Sequence, residues 1–146
     1  MSDIERSATA SWSGTLREGT GHISTQSGVL NNTPYTFVTR FEQAPGTNPE
    51  ELIAAAEAAC FTMNIAAVLG RREYRNVQVD TTATCVLSQV EGGRKITKIK
   101  LVTRGKADGL DLATFTEIAE DAKKNCIISR ALAGVDEFEL DAALAE

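Results

Sequence analysis

An α+β architecture, with two sheets packed around helices, follows from how the hydrophobic period changes along the 146 residues. Short alternating segments occupy the first forty positions, and an apolar stretch of helical length comes next. Alternation then returns before two helical segments and a final strand. The strands gather in groups on either side of that central helix instead of alternating with helices one by one, which argues against a doubly wound sheet. No repeat, low-complexity linker or internal boundary interrupts the chain, so residues 1–146 are expected to form a single domain.

Residues 8–12 and 22–25 read as strands separated by a turn between Gly14 and Gly19. Pro34 then precedes a β-branched and aromatic run over residues 35–41, the third predicted strand of an antiparallel meander. Thr47-Asn48-Pro49-Glu50-Glu51 opens a helix. Asn48 is its N-cap, Pro49 lies in the first turn, and both acids sit at the positive end of the dipole. Glu51 stands three residues after Asn48, where its carboxylate is placed to return a capping hydrogen bond. From residue 52 to 69 the side chains are apolar on nearly every side, seven of them alanine, and Gly70 is the expected stop. A helix without a clear polar face belongs inside a protein. So few residues can hardly bury it alone, and dimerisation is predicted.

Residues 77–87 and 96–102 are paired strands joined by a hairpin turn over residues 91–94. Asp111 starts a helix carrying Leu112, Phe115, Ile118, Ala119 and Ala122 at helical spacing. The chain breaks over residues 125–129 into a short helix ending at Gly134, and residues 135–140 form the last predicted strand.

Composition excludes several classes. Net charge is −5, the sequence pI is about 5.0 and the 15 Lys and Arg residues are scattered, so the basic face that nucleic acid requires is missing. No apolar run approaches the roughly 20 residues of a membrane span. The opening Met1-Ser2-Asp3-Ile4-Glu5-Arg6 lacks the basic-then-apolar order of a secretory signal, which points to the cytoplasm. Neither nucleic acid nor a membrane is an expected partner. Cys60, Cys85 and Cys126 lack the spacing of a disulfide framework, a zinc site or a thioredoxin-type pair. His22 is the single histidine, so neither a metal site nor histidine-assisted hydrolysis is expected.

Widely spaced thiols are either buried filler or reactive groups. Cys60 lies mid-helix among apolar residues and admits both readings. Cys126 opens the short helix, where the dipole favours a thiolate, and it also fits a structural cysteine at a helix junction. Cys85 sits in a strand pattern and reads as filler.

Gly46-Thr47-Asn48-Pro49-Glu50-Glu51-Leu52 followed by Ala58-Ala59-Cys60-Phe61 resembles the signature of the OsmC (osmotically inducible protein C) family and its relatives, the organic hydroperoxide resistance proteins. Ser27-Gly28-Val29-Leu30, Thr39-Arg40-Phe41-Glu42 and Cys126-Ile127-Ile128-Ser129 extend the likeness over nearly the whole chain. The resemblance implies an intertwined homodimer with two antiparallel sheets wrapped around two central helices. It also implies a thiol-dependent peroxidase that prefers organic hydroperoxides to hydrogen peroxide, with no resident cofactor and an external dithiol, lipoyl-type or carried on a lipoylated protein, as reductant. By residue match, Cys60 is the peroxidatic cysteine, Cys126 the resolving one, and Arg40 with Glu50 the activating pair.

The chemistry suits those roles. A thiol of pKa about 8.5 is a poor nucleophile until ionised. A guanidinium beside it favours the thiolate and can hold the peroxide oxygens with its fork of donors. A second thiol converts the resulting sulfenic acid to a disulfide before over-oxidation. Glu50 and Cys60 are ten residues apart on one helix, about 15 Å at 1.5 Å per residue. Either Arg40 bridges part of that gap or Glu50 arrives from the other subunit; the second is expected. Two positions depart from the family pattern. Ile127 replaces the usual proline and loosens the backbone at Cys126. Glu57 replaces a frequent histidine on the helix face shared with Cys60, where its charge opposes a thiolate. The competing reading is a non-catalytic member of the family that binds an apolar ligand between the central helices.

Overall fold

The computed structural model describes residues 1–146, which divide into two compact units, Met1–Leu52 and Ile53–Glu146. In the first, β1 (Ala8–Ser13), β2 (Thr20–Thr25) and β3 (Thr33–Tyr35) form an antiparallel meander in that order. The rings of Trp12 and Tyr35 meet at 5.5 Å over Gly21, where a Cβ would stand 2.5 Å from the Tyr35 ring. Glycine alone lets two aromatics close over the strand there.

The expected strand over residues 35–41 is cut short and becomes a helix. Thr36 and Thr39 cap each other: the Thr39 N–H donates to Thr36 Oγ1 at 3.3 Å and the Thr36 N–H donates to Thr39 Oγ1 at 2.9 Å. That reciprocal pair starts α1 (Phe37–Phe41), because local side-chain bonds outweigh the weak β preference of the run. Arg40 therefore sits in the last turn of a helix.

The next helix, α2 (Pro49–Arg71), begins as expected, with the Glu51 N–H donating to Asn48 Oδ1 at 2.8 Å. The Glu51 carboxylate, however, accepts from the Thr47 hydroxyl at 2.8 Å instead of returning to Asn48. Nor does Gly70 end the helix. It continues one residue further, and Glu73, at φ 64°, makes the left-handed turn. Glu57, Phe61, Ile65 and Leu69 form the single buried stripe of α2. Ala55, Ala56, Ala59, Met63 and Ala67 are exposed, so one chain does not bury this helix all round. With its polar residues averaged in, α2 is also long and apolar enough to cross a membrane, contrary to the reading from apolar runs; its inward stripe packs into the core.

In the second unit β4 (Gln78–Val90) and β5 (Gly93–Lys106) form the predicted hairpin, with Val90 opposite Gly93 and a shift in register at Val86/Leu87. The last strand, β6 (Glu137–Leu144), pairs with β5 in parallel, so this sheet is mixed and not wholly antiparallel. The cause is the connection: α3 (Leu112–Asn125) and α4 (Ile127–Ala131) make a crossover long enough to bring the chain back to the starting end of the sheet. Asp111 caps α3 by accepting from the Thr114 N–H at 2.8 Å, and that bond holds its carboxyl below the usual aspartate value. Phe61, Ile65 and Leu69 pack with Ile99 and Leu101 of β5, Phe115, Ile118, Ala119 and Ala122 of α3, and Cys126 in one core.

Candidate active site

Two elements of the core bring two thiols together. Cys60 lies half-buried on α2, one residue before the core anchor Phe61. Cys126 is the hinge between α3 and α4: its N–H donates to the Ala122 carbonyl at 2.9 Å and its carbonyl accepts from the Arg130 N–H at 3.0 Å. Fully buried, its thiol donates to Cys60 Sγ across 2.8 Å. Cys85 packs against the core from β4.

Burial decides the state of Cys126. Desolvation pushes its thiol up, the Cys60 contact adds to this, and the N–H and hydroxyl of Ser129 offset part of it. Of the two readings open from sequence, the thiolate favoured by a helix start is the one that burial opposes; a five-residue helix is a weak dipole against full burial. Ser129 was given no role from sequence, although the Cys126-x-x-Ser129 spacing places it one turn on, on the same face. Its hydroxyl also makes a short hydrogen bond with Glu57 Oε1. Glu57 is fully buried and turned toward Ser129; burial pushes its carboxyl up, and the hydrogen bond that the Ser129 hydroxyl donates offsets part of this.

The other two candidates pair in the first unit. Arg40 Nη2 donates to Glu50 Oε1 at 2.9 Å, and Nε reaches both carboxylate oxygens at 3.2 Å. Asn48 ties the two together by donating to the Thr39 carbonyl at 3.0 Å while capping α2. The Arg40 guanidinium lies 5.0 Å from the Phe41 ring centroid, beside a cavity of about 170 Å³ lined by Trp12, Leu16, Tyr35, Phe37 and Phe41. No three His, Cys, Asp or Glu side chains cluster as metal ligands, and His22 stands in β2 between Ser11 and Pro34.

Ile127 is the first residue of α4, exposed to solvent, and Cys126 before it has φ −56° and ψ 135°. That is the extended conformation a following proline demands, and the first helical position is where proline is best tolerated. Ile127→Pro is therefore expected to fold and to gain about 0.4–1 kcal/mol from a stiffer unfolded chain, read as a rise in the denaturation midpoint.

A mixed α+β unit whose central helix and crossover hinge present two apposed thiols defines a dithiol protein of redox type. The OsmC-like protein family matches residues 42–141, and the chain belongs to that family. It is 46% identical over 129 residues to Peroxiredoxin OsmC of Escherichia coli (strain K12), covering 88% of this chain and 90% of that one. The crystal structure of the organic hydroperoxide resistance protein OhrB of Bacillus subtilis superposes with a TM-score of 0.69 at 27% identity, over 95% of this chain and 98% of the other. An OsmC-like protein from Vibrio cholerae O1 matches with a TM-score of 0.70 at 16% identity, over 98% and 100% of the two chains, a likeness of fold alone.

Proposed function

We propose that the protein is a thiol peroxidase that reduces organic hydroperoxides to alcohols, and hydrogen peroxide less well, acting as one domain over residues 1–146. The observation that carries this reading is the apposition of the Cys60 and Cys126 sulfurs at 2.8 Å in a chain 46% identical to a named peroxiredoxin. The Cys60 thiolate attacks one peroxide oxygen. The O–O bond breaks, the alkoxide leaves with the thiol proton as alcohol, and Cys60 becomes a sulfenic acid. Cys126 then attacks that sulfur, the S–O bond breaks, and hydroxide leaves with the second thiol proton as water. An external dithiol, free or lipoyl-bound, reopens the disulfide and is itself oxidised. This cycle needs a reducing compartment, in keeping with the cytoplasm.

Arg40 orients the peroxide and favours the thiolate, and Glu50 fixes the guanidinium by its bidentate pair. The aromatic cavity beside Arg40 supports an organic substituent on the substrate. The exposed Ala59, Met63 and Ala67 face of α2 and the exposed β1 support a homodimer that covers them. In that dimer Arg40 and Glu50 of one subunit serve Cys60 of the other. A mixed dimer of Cys60→Ser and Glu50→Ala subunits is then expected to keep one native site and about half the activity, whereas action within one chain predicts none. The direct test of function is peroxide consumption with dihydrolipoamide. Cumene hydroperoxide is expected to be used faster than hydrogen peroxide, and equal, background rates for both would end the proposal. The same cavity favours the second reading, an apolar-ligand binder, whose function would survive Cys60→Ser.

A further inference from the structure

Each thiol of the apposed pair has a buried polar neighbour three positions away. Glu57 stands three residues before Cys60 on α2, and Ser129, in α4, stands three after Cys126. Residues at that spacing share a helix face, about 4.5 Å apart along the axis at 1.5 Å per residue. Glu57 is fully buried, Ser129 is 5% exposed, and the Ser129 hydroxyl donates to Glu57 Oε1. The bond keeps this direction whatever the charge of the glutamate, since a carboxylate oxygen and the carbonyl oxygen of a neutral carboxyl both accept. Beside the contact of the two sulfurs, it is the one side-chain hydrogen bond between α2 and the segment formed by Cys126 and α4.

The other carboxyl oxygen, Glu57 Oε2, is buried without a partner, a costly arrangement. An apolar side chain would continue the stripe of Phe61, Ile65 and Leu69 without that cost. What a glutamate adds at this position is an acceptor for α4. That helix has five residues and leaves α3 at the Cys126 hinge, with Ile128 and Leu132 packed on the core. A contact at the sulfurs alone leaves such a segment free to pivot about it; a second contact one turn away fixes the rotation.

We infer that Ser129 and Glu57 are positioning residues, whose buried hydrogen bond struts α4 against α2 and so holds the Cys126 sulfur at Cys60. The inference rests on the peroxidase reading for its use. Resolution of a sulfenic acid needs the second sulfur in a narrow geometry, and a misplacement of about 1 Å can cost on the order of 100-fold in rate.

The first arm of the experiment needs no peroxide. Reduced protein is equilibrated with mixtures of reduced and oxidised dithiothreitol, and the Cys60–Cys126 disulfide is measured by acid quench and mass analysis. Ser129→Ala removes the donor, and Glu57→Met fills the space without an acceptor. Each is expected to lower the equilibrium constant for the disulfide about tenfold. Glu57→Gln keeps an accepting oxygen and is expected to stay within about twofold of wild type. The double variant of Ser129→Ala with Glu57→Met is expected to match the single ones, because both changes break one bond. Urea midpoints are read alongside: a merely structural role lowers the midpoint and leaves the equilibrium constant unchanged. An unchanged constant in both single variants overturns the inference. So does an equal fall in the Gln and Met variants, or a double variant about 100-fold below wild type, the product of two independent losses.

The second arm adds one equivalent of cumene hydroperoxide. In Ser129→Ala the Cys60 sulfenic acid is expected to form at the wild-type rate and the disulfide to follow about tenfold more slowly. Equal slowing of both steps overturns the inference. Failure of the peroxidase reading shows separately, as wild-type protein that leaves the hydroperoxide unconsumed while the dithiothreitol arm is unaffected.

Discussion

Cys60→Ser is expected to lower hydroperoxide consumption by about four orders of magnitude or more, the scale on which losing a covalent nucleophile is felt. A serine hydroxyl is neither ionised at neutral pH nor able to accept oxygen as a sulfenic acid, so no residual cycle remains. Cys126→Ser has a different signature. Cys60 keeps its place on α2 and completes one turnover, releasing one equivalent of alcohol per subunit. The cycle then stalls, because the partner sulfur that stands 2.8 Å away is gone. Rapid-quench measurement of alcohol, with mass analysis of Cys60, separates the two variants: a burst with accumulating sulfenic and then sulfinic acid for Cys126→Ser, and nothing for Cys60→Ser. Steady turnover by Cys60→Ser would remove the thiol from the mechanism.

Phe115→Ala is expected to have the largest effect on stability, about 3–5 kcal/mol, read as a lowered denaturation midpoint in urea. Phe115 is fully buried on α3, and its ring lies against Gly105 in β5, where a Cβ would stand 2.1 Å from Cε1. Helix and sheet approach closely there because one side supplies a ring and the other supplies no side chain at all. Gly105→Ala forces the ring aside and is expected to cost about 1–3 kcal/mol. The two changes share one contact and should not add. In the double variant the methyl group enters space the ring has left, so the combined loss falls short of the sum by about 0.5–3 kcal/mol. Additive losses would mean that the ring and the glycine do not contact one another.

Local chemistry was legible and distant contacts were not. Asn48 and Pro49 announce the start of α2, and Asp111 that of α3, because a cap is an interaction between residues three apart. Thr36 and Thr39 are equally local, yet their reciprocal cap was hidden under a run of β-branched and aromatic residues that reads as strand. The parallel pairing of β5 and β6 was misread because strand direction depends on the route of the crossover and not on the strands' own residues. At the site, the residue types were readable, but the meaning of Glu57 was not. From sequence it is a charge one turn from Cys60; in the fold it is an acid turned into the core toward Ser129, 72 positions away. The environment of Cys126 stayed open between two readings for the same reason, since burial is a tertiary property that a helix start cannot reveal.

The apposed sulfurs belong to residues 66 positions apart. Joining them closes nearly half of the polypeptide into a covalent ring, and a ring of that size removes about 4 kcal/mol of chain entropy from the unfolded ensemble. The oxidised form is thus the more heat-resistant one. By reciprocity, the folded scaffold makes the bond harder to reduce by the same free energy that the bond lends to the scaffold. A monothiol faces that whole handicap, whereas a reductant carrying two thiols overcomes it by closing a small ring of its own.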